Sequence, residues 1–153
     1  NMSESENLNI KSENVNININ ELIAKLKSYF ERKPCVCVVY LYGSTVKGKR
    51  RQKSDIDLGI LFYEGIDSIQ RFDQKLDIRN ELEDLVGTEV DIVDLEEADP
   101  YFIHNLLLNK VLVVEKDINR RVEFEVKSRR EYFDMLPFYR LYHTQAMKRL
   151  ERR

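Results

Sequence analysis

Leu41-Tyr42-Gly43-Ser44, ten intervening residues, then Asp55-Ile56-Asp57 is the stretch on which the reading of this chain turns. Cys35 to Leu41, with Val36, Val38 and Val39, is a compact apolar run bounded by Pro34 and Gly43, and it predicts a buried first strand. Asp55 to Phe62 predicts a second strand whose faces separate cleanly. Ile56, Leu58, Ile60 and Phe62 point one way; Asp55, Asp57, Gly59 and Leu61 point the other. A turn of small residues therefore leads from one strand to two carboxylates on one side of the next.

That order of parts suits a triphosphate and its cations. Gly43 lets the backbone approach phosphate closely, and Ser44 offers a hydroxyl donor. A short helix expected over Ser44 to about Gly48 would add unpaired N–H groups and a positive dipole. Nucleotidyl transfer is mostly positioning and charge neutralisation, with metal ions bridging the attacking and leaving oxygens. Magnesium takes a few carboxylates, several waters and substrate phosphates, which Asp55 and Asp57 at i and i+2 can supply. A third carboxylate should come from a neighbouring strand, Glu89 to Leu95, where Asp91 alternates with Val90 and Ile92 and can face the first two. Asp94 falls on the opposite face of a regular strand and is the second choice. Lys47, Lys49, Arg50, Arg51 and Lys53 either meet the triphosphate or form a solvated loop. His104 and His143 have no partners for a nucleophile–base pair or a metal site, and read as surface helix positions. There is no GxxxxGK[ST] phosphate loop.

The remainder reads as support for one domain of 153 residues, 42% apolar and 34% charged. No apolar run approaches the roughly 20 residues of a membrane span, and the N-terminus is polar where a signal sequence would be apolar. Cys35 and Cys37, two apart on a strand, should point the same way as small buried thiols of a reducing cytoplasm. Residues 1–17 predict a disordered lead-in, 18–116 the folded domain, and 117–153 a helical extension. Within the domain, Asn18 and Glu21 resemble a capping box, opening a helix with Leu22, Ile23, Leu26, Tyr29 and Phe30 on one face. Ile66 to Leu85 should be a helix with Ile69, Phe72, Leu76, Ile78, Leu82 and Leu85 inward. Pro100 to Leu108 predicts another, with Phe102, Ile103, Leu106 and Leu107 inward, and Val111 to Val114 a fourth strand. Asp117 should cap a long last helix that Pro137 breaks or kinks. Helices alternating with short strands argue an α/β or α+β domain around one small sheet.

Charge is uneven along the chain. Residues 1–117 hold 15 basic and 22 acidic side chains, a balance of −7, whereas residues 118–153 hold 10 and 5, a balance of +5. The basic tail interleaves Tyr132, Phe133, Phe138, Tyr139 and Tyr142 with Arg129, Arg130 and Arg140, which suits either packing on the domain or docking a partner.

Gly43-Ser44, ten residues, Asp55-x-Asp57 and then Asp91 closely resemble the pattern of the DNA polymerase β-like nucleotidyltransferase superfamily. Over about residues 20–115 the chain is similar to the minimal nucleotidyltransferases, most of all the MntA-type antitoxins. The resemblance implies a small mixed sheet flanked by helices, with ATP and two Mg²⁺ at the carboxylates. It further implies that Asp55 and Asp57 hold both metals, that Asp91 completes the site and helps activate the acceptor, and that Gly43 and Ser44 grip the phosphates. The implied partner is a HEPN-domain ribonuclease toxin of the HepT kind, neutralised by transfer of AMP to a tyrosine, with no membrane or direct nucleic-acid partner. A small-molecule or RNA acceptor, or a non-catalytic toxin-binding antitoxin, are the alternatives, because fold and motif do not name the acceptor. Arg140-Leu-Tyr-His143 does not match the Arg-x4-His-x-Tyr motif of HEPN ribonucleases.

Overall fold

Four short strands pair into one mixed sheet. In a computed structural model that describes residues 18–46 and 55–152, the elements in chain order are α1 (Ile19–Glu31), β1 (Val36–Tyr42), β2 (Ile56–Phe62), α2 (Ser68–Val86), β3 (Val90–Asp94), α3 (Pro100–Leu108), β4 (Lys110–Glu115) and α4 (Ile118–Glu151). The sheet order is β3-β2-β1-β4, with β2 and β3 parallel and the other neighbours antiparallel. The parallel pair needs a crossover, and α2 supplies it. The lead-in expected over residues 1–17 and the basic loop Lys47–Lys53 fall outside the described residues, as does the end of the short helix expected from Ser44; residues 43–46 form a turn.

Alternation along the strands builds two cores, one on each side of the sheet. Ile56, Leu58, Ile60 and Phe62 of β2 meet Leu22, Leu26 and Phe30 of α1 and Ile78 and Leu82 of α2. Leu61, Tyr40 and Val38 point the other way, onto Leu95 and Leu106, with Phe102 of α3 and Phe124 of α4 packed against them. Burying a leucine- or phenylalanine-sized side chain in such a layer is worth about 2 kcal/mol, so both faces drive folding.

Several expectations need correction. Cys35 and Cys37 do not share a face, because β1 shifts register between Val36 and Val38. The bulge puts consecutive residues Cys37 and Val38 on the α3 side, while Cys35 packs on the α1 side. On α2, Ile69, Phe72 and Leu85 are not inward but 74%, 55% and 45% exposed; the buried residues are Arg71, Ile78 and Leu82. The helix is turned to that stripe by an ion pair. Asp94 points down onto the α2 side, as alternation requires, and Arg71 Nε donates to its Oδ2 at 2.7 Å. A buried carboxylate must be paired, and Arg71 also reaches the Ile66 carbonyl at 2.6 Å and Glu97 at 3.1 Å. Ile69 and Phe72 then lie about 100° or more around the helix from the buried stripe. At the start of α1, the Asn18 side chain accepts from the Asn20 N–H rather than forming the full capping box.

Pro137 does not break α4, which runs without interruption through it. Polar contacts hold the first half of that helix: Tyr40 donates to Glu125 Oε1 (2.9 Å), Arg121 pairs with Glu115 and Glu125, and Arg120 donates to the Phe62 carbonyl (2.9 Å) and to Glu96 (2.6 Å). Further along, Tyr132 stacks face to face on His104 at 3.7 Å and Tyr139 meets Tyr101 edge-on at 5.3 Å. The aromatic tail is thus divided: Tyr132 and Tyr139 pack on α3, whereas Phe133, Phe138 and Tyr142 stay exposed. His104 is half-buried under Tyr132 rather than a plain surface position, and His143 is exposed. Among the described residues no helix is long and apolar enough to cross a membrane.

Candidate active site

Strand register assembles the site at one end of the sheet. Asp57 of β2 stands opposite Asp91 on parallel β3 and opposite Tyr42 on antiparallel β1, and Tyr42 in turn stands opposite Lys110 on β4. Directly opposed residues share a face, so Asp91, Asp57, Tyr42 and Lys110 form one row across all four strands. One step along the β2–β3 ladder the Ile56 N–H donates to the Glu89 carbonyl at 2.9 Å, which brings Asp55 beside Glu89. The neighbouring Asp55 carboxyl raises the Glu89 pKa, first through hydrogen bonding to its protonated form and then through charge.

The row repels itself. Burial first, then the charges of Asp91 and Asp55, pushes the Asp57 carboxyl from 3.8 up to about 6. The Tyr42 hydroxyl is raised above the ordinary tyrosine value by burial, then by Asp57 and Asp91. Tyr42 is held by an edge-on contact with Phe102 at 5.8 Å.

Gly43 completes the row. It has φ +80°, and a Cβ built there would lie 2.4 Å from Asp57 Oδ2. The backbone therefore presses on the carboxylate in a way only glycine permits. Ser44 follows in the turn, half-buried, and Thr45 Oγ1 is buried with no hydrogen-bond partner among the described residues.

Of the sequence-predicted residues, the structure brings Asp57, Asp91 and Gly43 into direct juxtaposition and sets Ser44 next in the chain. Asp55 is exposed, one residue before β2, and lies beside Glu89. Among the described residues no three carboxylate, imidazole or thiol groups gather closely enough to surround a metal ion. Parallel register sets Asp57 against Asp91, and Asp55 lies near enough for its charge to act on the Asp57 carboxyl as well. Asp94 lies on the far face, spent on Arg71. Tyr42, Thr45 and Glu89 were not singled out from sequence. Glu89 had a legible signal, since Glu89-Val-Asp91 repeats the acid-x-acid spacing of Asp55-Ile-Asp57.

The donors here fit a divalent cation with phosphate. They are all oxygens, the charge-crowded Asp57 gains from any cation, Thr45 has a buried hydroxyl to offer, and Gly43 lets the backbone lie directly against the Asp57 carboxyl.

Comparison with known proteins agrees with this geometry. The protein MJ0128 of Methanocaldococcus jannaschii, named as a candidate protein adenylyltransferase, is 32% identical over 75 residues, 49% of this chain and 72% of its own length. Protein adenylyltransferase MntA of Shewanella oneidensis is 30% identical over 79 residues; the match spans about half of each protein, 52% in both cases. In fold, the chain resembles one chain of a toxin–antitoxin crystal structure with AMP-PNP, with TM-score 0.66 and 23% identity over 86% of this chain and 99% of that one. Residues 24–119 match the family described as Polymerase beta, Nucleotidyltransferase, and they contain the whole row from Tyr42 to Lys110; the chain belongs to the polymerase beta nucleotidyltransferase family.

Proposed function

We propose that this chain is an antitoxin that transfers AMP from ATP to a tyrosine of a HEPN-domain toxin and so neutralises it. The observation that carries the reading is the Asp57–Asp91 pair beneath a glycine turn that tolerates no side chain. Its support includes relatives named as protein adenylyltransferases.

Asp55, Asp57 and Asp91 would hold magnesium, two ions in this reading, which when bound neutralises triphosphate charge and polarises the phosphorus under attack. The chain's own residues do the rest. Gly43 admits the triphosphate against the backbone, and the Ser44 and Thr45 hydroxyls donate to its oxygens. Asp91, on the edge strand, accepts the proton of the tyrosine hydroxyl. A bond forms between that oxygen and the α-phosphorus, the bond from α-phosphorus to the bridging oxygen breaks, and pyrophosphate leaves with the electron pair.

The test is incubation with labelled ATP, Mg²⁺ and the HEPN-domain product of the adjacent reading frame. A mass increase of one AMP on a partner tyrosine, lost in the Asp55→Asn/Asp57→Asn variant, is the expected result. Undiminished neutralisation by that variant would identify a stoichiometric binder, and labelling of an RNA 3′ end or a small hydroxyl compound a different acceptor.

A further inference from the structure

Strand β3 has an open outer edge beside the carboxylates. In a parallel ladder alternate residues turn their backbone groups toward a given neighbour. Ile56 N–H donates to the Glu89 carbonyl and Leu95 N–H to the Ile60 carbonyl at 3.0 Å, so odd-numbered residues of β3 serve β2. The N–H and C=O of Ile92 and the C=O of Val90 therefore point outward, where no strand lies among the described residues. Val90 N–H on the same edge is taken by Glu83 Oε1 at 3.4 Å. The strand is short and carries Asp91 and Asp94, but it has neither the lysine nor the proline that commonly blunt an open edge.

A groove of about 630 Å³ follows this edge, lined by Asp91, Ile92 and Asp94 on the strand and by Phe72 and Lys75 on α2. Phe72 is 55% exposed with Lys75 Nζ over its ring at 5.7 Å, and Ile69, one helical turn back, is 74% exposed. Neither apolar side chain is needed by the core, and Phe72 lines the groove beside the unpaired backbone.

We propose that this edge receives an extended segment of the acceptor protein as an added antiparallel strand, with the acceptor tyrosine directly across from Asp91. The inference rests on the function proposed above and names how its substrate docks. A residue opposite Ile92 exchanges both backbone hydrogen bonds with it, and the residue before or after it stands opposite Asp91 or Val93 with its side chain on the carboxylate face. Strands lie about 4.8 Å apart, so a tyrosine opposite Asp91 begins one spacing from Asp91 and two from Asp57. The length of its ring carries the hydroxyl over the pair. Alternate side chains of the segment fall on the α2 side, against Phe72, so main-chain bonds supply affinity and Phe72 supplies fit.

Two measurements on the full chain test this, with the adjacent-frame HEPN-domain protein and N-acetyl-tyrosinamide as acceptors. Amide exchange across Val90–Asp94 should slow in the complex. Phe72→Asp, and the milder Phe72→Ser, should raise KM for the protein acceptor by about tenfold, the loss of one interface anchor, without changing the rate on N-acetyl-tyrosinamide. Full transfer to the protein acceptor with unprotected β3 amides and unchanged KM in both variants overturns edge docking and leaves the transferase reading intact. No transfer by the wild-type chain to either acceptor overturns both.

Discussion

Replacing Asp57 by asparagine should abolish nucleotidyl transfer and yet make the metal-free protein more stable above neutral pH. The carboxyl is pushed from 3.8 to about 6 by burial, Asp91 and Asp55. A shift of roughly two pKa units corresponds to about 3 kcal/mol. Asp57 is only half-buried, so solvent screening reduces the usable part to about 1 kcal/mol. For an acid whose folded pKa is raised, the folded state holds the proton more tightly. Stability is then lost as pH rises from about 4 to about 6, and the full cost persists above that. Asparagine carries no such charge. The variant should therefore melt about 3 °C above wild type at pH 8, with the gain shrinking toward zero by pH 4. Added Mg²⁺ should raise the wild-type midpoint at pH 8 and leave that of the variant in place, because binding to the folded state alone stabilises it. Thermal melts in chelator at five pH values between 4 and 8, repeated with Mg²⁺, make the measurement. A variant less stable than wild type at pH 8, or a gain that does not vary with pH, would refute the electrostatic account of the site.

Gly43→Ala should lower kcat/KM by about a hundredfold or more while costing about 1–2 kcal/mol of stability, since its Cβ meets Asp57 Oδ2 at 2.4 Å and φ is +80°; steady-state kinetics and denaturant unfolding separate the two effects. Thr45→Val should leave stability unchanged or improved, because Oγ1 is buried without a partner among the described residues, and weaken ATP binding by about tenfold in calorimetry. Arg71→Met should destabilise by about 3–5 kcal/mol by stranding buried Asp94, and the double variant with Asp94→Leu should recover most of it in urea unfolding.

Period and spacing carried most of the fold. The alternation in β2 separated Asp57 from Ile56 and Leu58 correctly because both sheet faces are covered and a slip would bury the acids. The same rule separated Asp91 from Asp94. What failed was local information about partners far along the chain. Nothing near Ile69 or Phe72 announces that Arg71, between them, is claimed by Asp94, so counting apolar residues places Ile78 and Leu82 inward correctly but adds Ile69, Phe72 and Leu85 to them. The bulge in β1 is likewise a register event between strands, invisible in the string Val36-Cys37-Val38. Within the site, the carboxylates and Gly43 were legible because their chemistry is local. Tyr42 enters only through cross-strand pairing, and Thr45 only through burial.

The irregularity in β1 also determines how the two sulfurs respond to reagents. With Cys35 and Cys37 on opposite sides of the sheet, no intramolecular disulfide can link them without unmaking the strand. Cys37 is fully enclosed, while Cys35 keeps some access to solvent and reaches Gln74 Oε1 at 3.6 Å. Burial raises both thiols, so even Cys35 should react slowly near neutral pH. The native protein thus carries a single addressable thiol, at the opposite end of β1 from Gly43. A fluorophore attached there would follow unfolding and partner capture without crowding the carboxylates.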